Sequence, residues 1–248
     1  MEKKRGVLTM IQLTERLFYL PHMPETDRPT LGFLRGDRRC LMLDGGNSPA
    51  HAGQFLRELA ALGLPGPDAV AVTHRHWDHT FGMNDLNVPV ITGQATAEYL
   101  RRYSEISWGE AGLLEYMEAD GLREFSEPHL RLEYPDPAAI RVRRADVSFG
   151  GTLELDLGGC GAVLRTIPSP HCEDCVMMWL PSERAVFLGD AWCLKLARGD
   201  WVEDREGLAA LWRVLEPLDF QWALTGHDEP RTKEWMAADF RRRMEEPT

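Results

Sequence analysis

A short apolar run, Ala69–Thr73, ends in His74-Arg75-His76-Trp77-Asp78-His79. Three of the chain's 8 histidines and an aspartate therefore stand within six consecutive residues. His74 and His76 are two apart, so in extended chain they project from one face, and Asp78 and His79 turn toward a neighbouring position. Neutral imidazole nitrogens and carboxylate oxygens are the donors that suit Zn²⁺ and similar divalent ions. A turn built this way is a metal-ligand cluster at the end of a strand. It constrains the fold strongly, because the remaining ligands must be brought to it from elsewhere in the chain.

The pattern around this turn is that of a mixed protein. Leu17–Leu20, Thr30–Arg35 and Cys40–Asp44 are strand-like, with Gly36-Asp37 as a hairpin turn. Ser48-Pro49 reads as a helix N-cap followed by proline at the first helical position. Phe55, Leu56, Leu59 and Leu62 continue at helical spacing, and Gly63 ends the helix. Val88–Ile91 is a further strand, and Ala95 to Gly121 has helical spacing of its apolar residues. Strands resume at Ile140–Arg144, Leu153–Leu157, Ala162–Ile167, Val176–Leu180 and Ala185–Leu188. They are followed by a helix around Leu208–Leu215, a strand at Gln221–Thr225 and a final helix at Lys233–Met244. Strands and helix, a helical insert, then strands and helix again suggest two packed sheets with helices outside. The expectation is one α+β domain over residues 1–248 with an insert at about 95–121.

The His-x-His-x-Asp-His run is similar to the signature of the metallo-β-lactamase superfamily, and further elements follow in the family's order. Asp44-Gly45-Gly46 resembles its early Asp-Gly turn, and His171 in Pro168-Ser169-Pro170-His171 its lone third histidine. Asp190 in Phe187-Leu188-Gly189-Asp190 resembles its bridging aspartate, and His227 in Leu224-Thr225-Gly226-His227 its last ligand. The resemblance runs from about Leu17 to His227. It implies a four-layer αβ/βα sandwich of two mixed sheets with outer helices. It implies two divalent ions, zinc first with iron or manganese as alternatives. His74, His76 and His171 would hold one ion and Asp78, His79 and His227 the other, with Asp190 between them and Asp44 behind the ligands. Two such ions share a water and lower its pKa, so the implied activity is hydrolysis of a small ester, thioester, lactone or phosphodiester by a bridging hydroxide. Asp78 would also aim that hydroxide. The second reading is a mononuclear iron-dependent, dioxygenase-like oxidoreductase on the same scaffold; the third is a binding protein without turnover, disfavoured because all seven ligands are present.

The chain departs from several branches of the family. Asp190 stands where one group of β-lactamases has cysteine, and Cys193 is offset from that place. His76 stands where flavin-linked di-iron relatives have glutamate. The stretch after His227 is shorter than the helical extension of glyoxalase II.

Composition bounds the partners. The formal charge is −11 and the pI about 5.2, which argues against nucleic acid, since phosphate backbones need clustered Lys and Arg. The basic run Arg141-Val142-Arg143-Arg144 reads as the solvated face of a strand. No apolar stretch approaches a membrane span, five cysteines are an odd number, and the segment after Met1-Glu-Lys-Lys-Arg is too broken for a signal peptide. The expectation is a reduced, cytoplasmic enzyme acting on a small molecule. Tyr99, Tyr103, Trp108 and Tyr116 of the insert are candidates either for the pocket or for packing. Cys172-x-x-Cys175 is a weak redox or metal signal, and Cys175 reads more simply as the start of a buried strand. Trp77 and Trp192 either line the mouth or seat the ligand loops. His22 lies in a loop able to reach the site, and His51 and His129 read as surface residues.

Overall fold

A computed structural model describes residues 9–120, 123–197 and 200–246. Met1–Arg5 and Gly121, the expected end of the insert, lie outside the described residues. In chain order the strands are β1 Ile11–Gln12, β2 Leu17–Leu20, β3 Leu31–Arg35, β4 Cys40–Leu43, β5 Ala69–Ala71, β6 Val90–Gly93, β7 Val147–Phe149 and β8 Thr152–Asp156. They continue with β9 Gly161–Thr166, β10 Val176–Leu180, β11 Ala185–Gly189, β12 Lys195–Ala197, β13 Asp200–Val202, β14 Trp222–Thr225 and β15 Arg231–Thr232. The α-helices are α1 Pro49–Ala61, α2 Trp77–Thr80, α3 Gln94–Tyr103, α4 Glu110–Asp120, α5 Arg123–Glu133, α6 Arg205–Leu215 and α7 Lys233–Glu245.

Strands β1 to β7 form one sheet in sequence order, antiparallel up to β4 and parallel from β4 to β7. The second sheet has the order β15-β14-β11-β10-β9-β8, with β11 and β14 parallel, and β12 and β13 make a separate hairpin. Because side chains alternate across a strand, the two faces of each sheet can be followed residue by residue. Leu17, Tyr19, Leu41 and Leu43 point into a core shared with Leu164, Val176, Met178 and Phe187 of the other sheet. Their neighbours Phe18, Leu20, Met42 and Val70 point the other way, against Phe55 and Leu59 of α1 and the insert. On the second sheet Met177, Val186, Leu188 and Ala223 meet Leu208, Leu211 and Leu215 of α6. Both faces of β2 to β6, β10, β11 and β14 are covered, so those strands read as near-continuous apolar runs, while the edge strand β8 alternates with Thr152, Glu154 and Asp156 exposed. The result is the expected sandwich of two sheets with outer helices.

The helix signals act as anticipated. The Ser48 hydroxyl accepts the His51 amide at the start of α1, and Gly63 follows that helix at φ 67°. Two expectations need correction. The insert extends beyond α3 and α4 to a third helix, α5, which carries an internal Pro128 and few apolar residues. Ile140–Arg144 is not a strand, because β7, seven residues further on, takes the edge of β6. Its alternation has another cause: Ile140 and Val142 are buried under the insert. Arg143 and Arg144 face outward and pair with Asp146 at 2.8 Å and Glu105 at 3.0 Å. Among the described residues no helix is long and apolar enough to cross a membrane.

Candidate metal centre

The parallel strand pairs place the site. Asp44 follows β4, His74 follows β5, Asp190 follows β11 and His227 follows β14, so four loops leave the carboxyl ends of adjacent parallel strands at one edge of the sandwich. Ligands in open α/β sheets gather at such carboxyl ends. His171 arrives from the loop after β9, and the one-turn helix α2 carries Asp78 and His79. Backbone bonds tie the loops together: Gly226 N donates to Gly189 O (2.9 Å), Gly45 N to His79 O (2.8 Å) and Val176 N to Thr73 O (2.7 Å).

All seven side chains converge, in two groups. His76 Nδ1 lies 3.1 Å from His74 Nε2 and 3.0 Å from His171 Nε2. In the other group Asp78 Oδ2 lies 3.0 Å from both His79 Nε2 and His227 Nε2. Asp190 stands between them. Its Oδ2 is 3.7 Å from His171 Nε2 and 3.4 Å from His227 Nε2, and its Oδ1 is 3.4 Å from His79 Nε2. Gly226 has to be glycine here, since a Cβ on it would lie 2.1 Å from Asp190 Oδ1.

The tautomers follow from the partners on the far side of each ring. Asp44 Oδ1 accepts the Thr73 amide (2.7 Å), and Oδ2 accepts the Thr73 hydroxyl (2.9 Å) and His79 Nδ1–H (2.7 Å). The Thr73 hydroxyl has spent its only proton on Asp44, so at 3.0 Å it accepts from His74 Nδ1–H. His171 Nδ1–H donates to Leu194 O at 2.9 Å. For His74 and His171 the Nε2 lone pair is left bare toward the cluster, and for His79 Nε2 is the atom turned toward it.

Those bare nitrogens are the test of whether a cation fits. Lone pairs of His74, His76 and His171 meet at 3.0–3.1 Å, an arrangement that an electron-pair acceptor satisfies at all three. His79 Nε2 and Asp190 Oδ1 are buried without a hydrogen-bond partner. Bonds of about 2.0–2.1 Å to a tetrahedral ion set neighbouring donors about 3.3–3.4 Å apart, close to the spacings here. The residues fit divalent metal.

Electrostatics divides the groups. Burial, reinforced by neighbouring positive groups, pushes His74 and His76 well below the ordinary histidine value, so both are neutral. His79 and His227 go the other way: burial opposes charge, but Asp78 and Asp190 outweigh it and raise both. Asp78 and Asp190, despite their own burial, are held well below the usual carboxylate range by the same two imidazoles.

A cavity of 320 Å³ opens over the cluster, with His76, Asp78, His171, Asp190 and His227 on its floor. Its mouth is made by Phe125, Ser126 and His129 of α5 and by Trp201 of β13. His22 lines it, as its loop position allowed. The four insert aromatics picked out in the sequence, Tyr99, Tyr103, Trp108 and Tyr116, do not. Tyr103 and Tyr116 pack on each other (4.9 Å) and Tyr116 on Phe81 (5.5 Å), whereas Tyr99 lies under Arg75 (4.3 Å). One surface assignment is corrected. His51 is 1% exposed because the first turn of α1 faces the sheet, and its Nδ1 accepts the Asn47 amide at 3.5 Å. His129 sits on the cavity side of α5. Trp77 (1% exposed) and Trp192, bonded to Asp239 at 2.9 Å, seat the ligand loops.

Sequence reasoning missed Asp27, whose Oδ1 faces His227 Nδ1 at 3.7 Å from a left-handed turn (φ 52°); no motif marks it. It also missed the full role of Asp174, which accepts from Arg75 N (2.9 Å), Arg75 Nη1 (2.5 Å) and Thr96 Oγ1 (2.9 Å) and so clamps the two ligand loops together. The Cys172 and Cys175 sulfurs are buried and free, 3.3 Å apart, and Cys172 Sγ lies within 4.8 Å of the donors of His74, His76 and His171.

A model of the family described as Metallo-beta-lactamase superfamily matches residues 28–245. Three solved structures share the fold. A metallo-beta-lactamase from Pontibacter korlensis superposes with TM-score 0.64 and 15% identity, over 96% of this chain and 100% of its own. A metallo-beta-lactamase family protein from Thermus thermophilus gives 0.64 and 20%, over 94% and 81%. The stereoselective inverting sec-alkylsulfatase Pisa1 from Pseudomonas sp. gives 0.70 and 14%, over 96% of this chain but only 42% of the sulfatase. No curated protein sequence matches.

Proposed function

The chain belongs to the metallo-beta-lactamase superfamily, and from that premise we propose that it is a metal-dependent hydrolase with a binuclear site. His74, His76 and His171 would hold one divalent ion and Asp78, His79 and His227 the second, with Asp190 standing between the two groups. The observation that carries this reading is the convergence of seven donors, from four separate stretches, at mutual spacings of 3.0–3.7 Å. Imidazole and carboxylate in this proportion favour zinc.

When bound, such ions lower the pKa of a shared water toward about 7 and polarise the substrate's reacting oxygen. The remaining work falls to the chain. Asp44, Thr73 and the Leu194 carbonyl fix the imidazole tautomers. Asp78, ionised and on the cavity floor, would accept a hydrogen bond from the attacking water and aim it. Burial of every ligand except the half-exposed edge of His227 keeps bulk water away.

Metal analysis of the purified protein, with activity on lactones, thioesters, phosphodiesters and β-lactams, tests the assignment. Two zinc ions per chain with hydrolysis support it. One iron per chain with oxygen consumption would replace it by an oxidoreductase on the same scaffold. Asp78→Asn is expected to lose turnover about 10²-fold or more, and undiminished turnover at full metal content would remove Asp78 from the chemistry.

A further inference from the structure

We propose that Ser126 and His129, one turn apart on α5, bind a hydroxyl group of the substrate at the wall of the metal cavity. This rests on the hydrolase reading of the same site and adds to it a group that the substrate must carry. Three observations support it.

The first is an unpaired hydroxyl. Ser126 is 3% exposed and lines the cavity, yet its side chain makes no hydrogen bond among the described residues. Buried polar groups are normally paired, and for Ser126 the open side is the cavity. The second is a bare ring nitrogen. His129 also lines the cavity, and its Nδ1 lies 3.0 Å from Phe125 O. A carbonyl only accepts, so Nδ1 carries the proton, and Nε2 of the unprotonated ring keeps its lone pair. Positions three apart share one face of a helix, so a donor on Ser126 and an acceptor on His129 stand on the same face of α5. A hydroxyl answers both from a single oxygen: it accepts from Ser126 Oγ–H and donates to His129 Nε2. An ammonium has no lone pair for the serine proton, and an ether or ketone has no proton for the imidazole. The third is that the pair is held in place at both ends of α5. Glu133, its last residue, accepts Arg28 Nε at 2.7 Å, Arg28 Nη2 at 3.0 Å and Ser48 Oγ at 2.6 Å. Near its start, Phe125 packs edge to face on Trp201 of β13, ring centroids 5.2 Å apart at 84°. Binding therefore has little left to order. In a cavity of 320 Å³, at the small end for ligand sites, a substrate that reaches the metal ligands also touches this wall.

The experiment uses full-length protein loaded with zinc and two matched pairs of esters. Methyl 3-hydroxybutanoate with methyl butanoate places the hydroxyl on the acyl side, and 2-hydroxyethyl acetate with ethyl acetate places it on the leaving side. In one pair or the other the hydroxylated ester should lead by about tenfold or more in kcat/KM, because its absence leaves buried polar groups unpaired. Ser126→Ala and His129→Leu should each cut that lead to about threefold or less. Both members of a pair are measured on the same variant, so a general loss of activity or of zinc cancels from the ratio. Equal kcat/KM in both pairs means that the wall is served by water alone. That result, or an undiminished lead in Ser126→Ala, overturns the proposal and leaves the hydrolase intact. If neither pair is cleaved, binding decides: saturation-transfer NMR compares the uncleaved probes 3-hydroxybutanamide and butanamide. Tighter binding of the hydroxylated amide, lost in Ser126→Ala, supports the proposal, and equal binding of both overturns it. The hydrolase reading is then judged separately, on the lactones, thioesters, phosphodiesters and β-lactams.

Discussion

Replacing Asp44 by Asn should weaken metal binding at the Asp78, His79 and His227 group far more than it weakens the fold. Asp44 is fully buried, and its two oxygens accept three protons: from the Thr73 amide, the Thr73 hydroxyl and His79 Nδ1–H. Asparagine has the same shape but one acceptor oxygen and an amide with two protons. If that oxygen keeps the Thr73 amide, the NH₂ faces the hydroxyl and the His79 ring, which were both donors. The ring must then present Nδ1 as an acceptor, which moves its proton to Nε2, the atom facing Asp78 and Asp190. A protonated Nε2 cannot bind a cation. Loss of an outer partner to a ligand histidine typically costs about 10- to 100-fold in metal affinity, or about 1.4–2.8 kcal/mol. Competition against a chromophoric chelator should show one of two zinc-binding steps shifted by that amount. The step belonging to His74, His76 and His171 should move less, since Thr73 still separates Asp44 from His74. Melting of the metal-free variant controls for general damage. Two unshifted zinc steps in Asp44→Asn would show that the tautomers are not set as argued.

Further outcomes follow from single contacts. Gly226→Ala puts a Cβ 2.1 Å from Asp190 Oδ1 and 2.9 Å from His79 Cε1, and should reduce zinc content while circular dichroism stays unchanged. Asp174→Ala takes from Arg75 its closer carboxylate and leaves Glu173 at 3.3 Å, so the loss should fall at the low end of the about 3–5 kcal/mol that breaking a buried pair costs, a melting shift of about 6 °C at this size. His51 is pushed well below the ordinary histidine value, first by burial and then by Arg28. The unfolded chain therefore takes up a proton near pH 6.5 that the folded state refuses, so stability contributed above that pH is lost as pH falls through it. Urea unfolding from pH 7.5 to 5 at fixed metal content should show a slope shallower by up to about 1.4 kcal/mol per pH unit in His51→Gln than in the parent; parallel profiles would refute the burial effect.

Much of this protein was legible in one dimension. The turn from His74 to His79 declared its chemistry by composition alone, and Val176–Leu180 was readable as a strand because both of its faces are apolar. Ser48, Pro49 and Gly63 marked the ends of α1 because caps depend on local backbone geometry. Periodicity, however, reports that a side chain is buried and not what it is buried against. Ile140–Arg144 alternated like a strand yet had no ladder partner, and Tyr99, Tyr103, Trp108 and Tyr116 had helical spacing yet packed away from the cavity. The burial of His51 was hidden for the same reason: a polar residue on a helix shows its direction only once the helix is docked.

What the residues determined unaided was therefore the inventory of donors and the alternation that builds two double-faced sheets, because both are properties of neighbouring positions along the chain. What only tertiary structure decided was the geometry of the centre and of its entrance. His227 reaches Asp78 across 149 positions and His171 reaches His76 across 95, the Leu194 carbonyl chooses a proton's place on a ring, and Phe125 finds Trp201 over the opening. Contacts at such separations are fixed by the packing of whole elements, and no local pattern carries them.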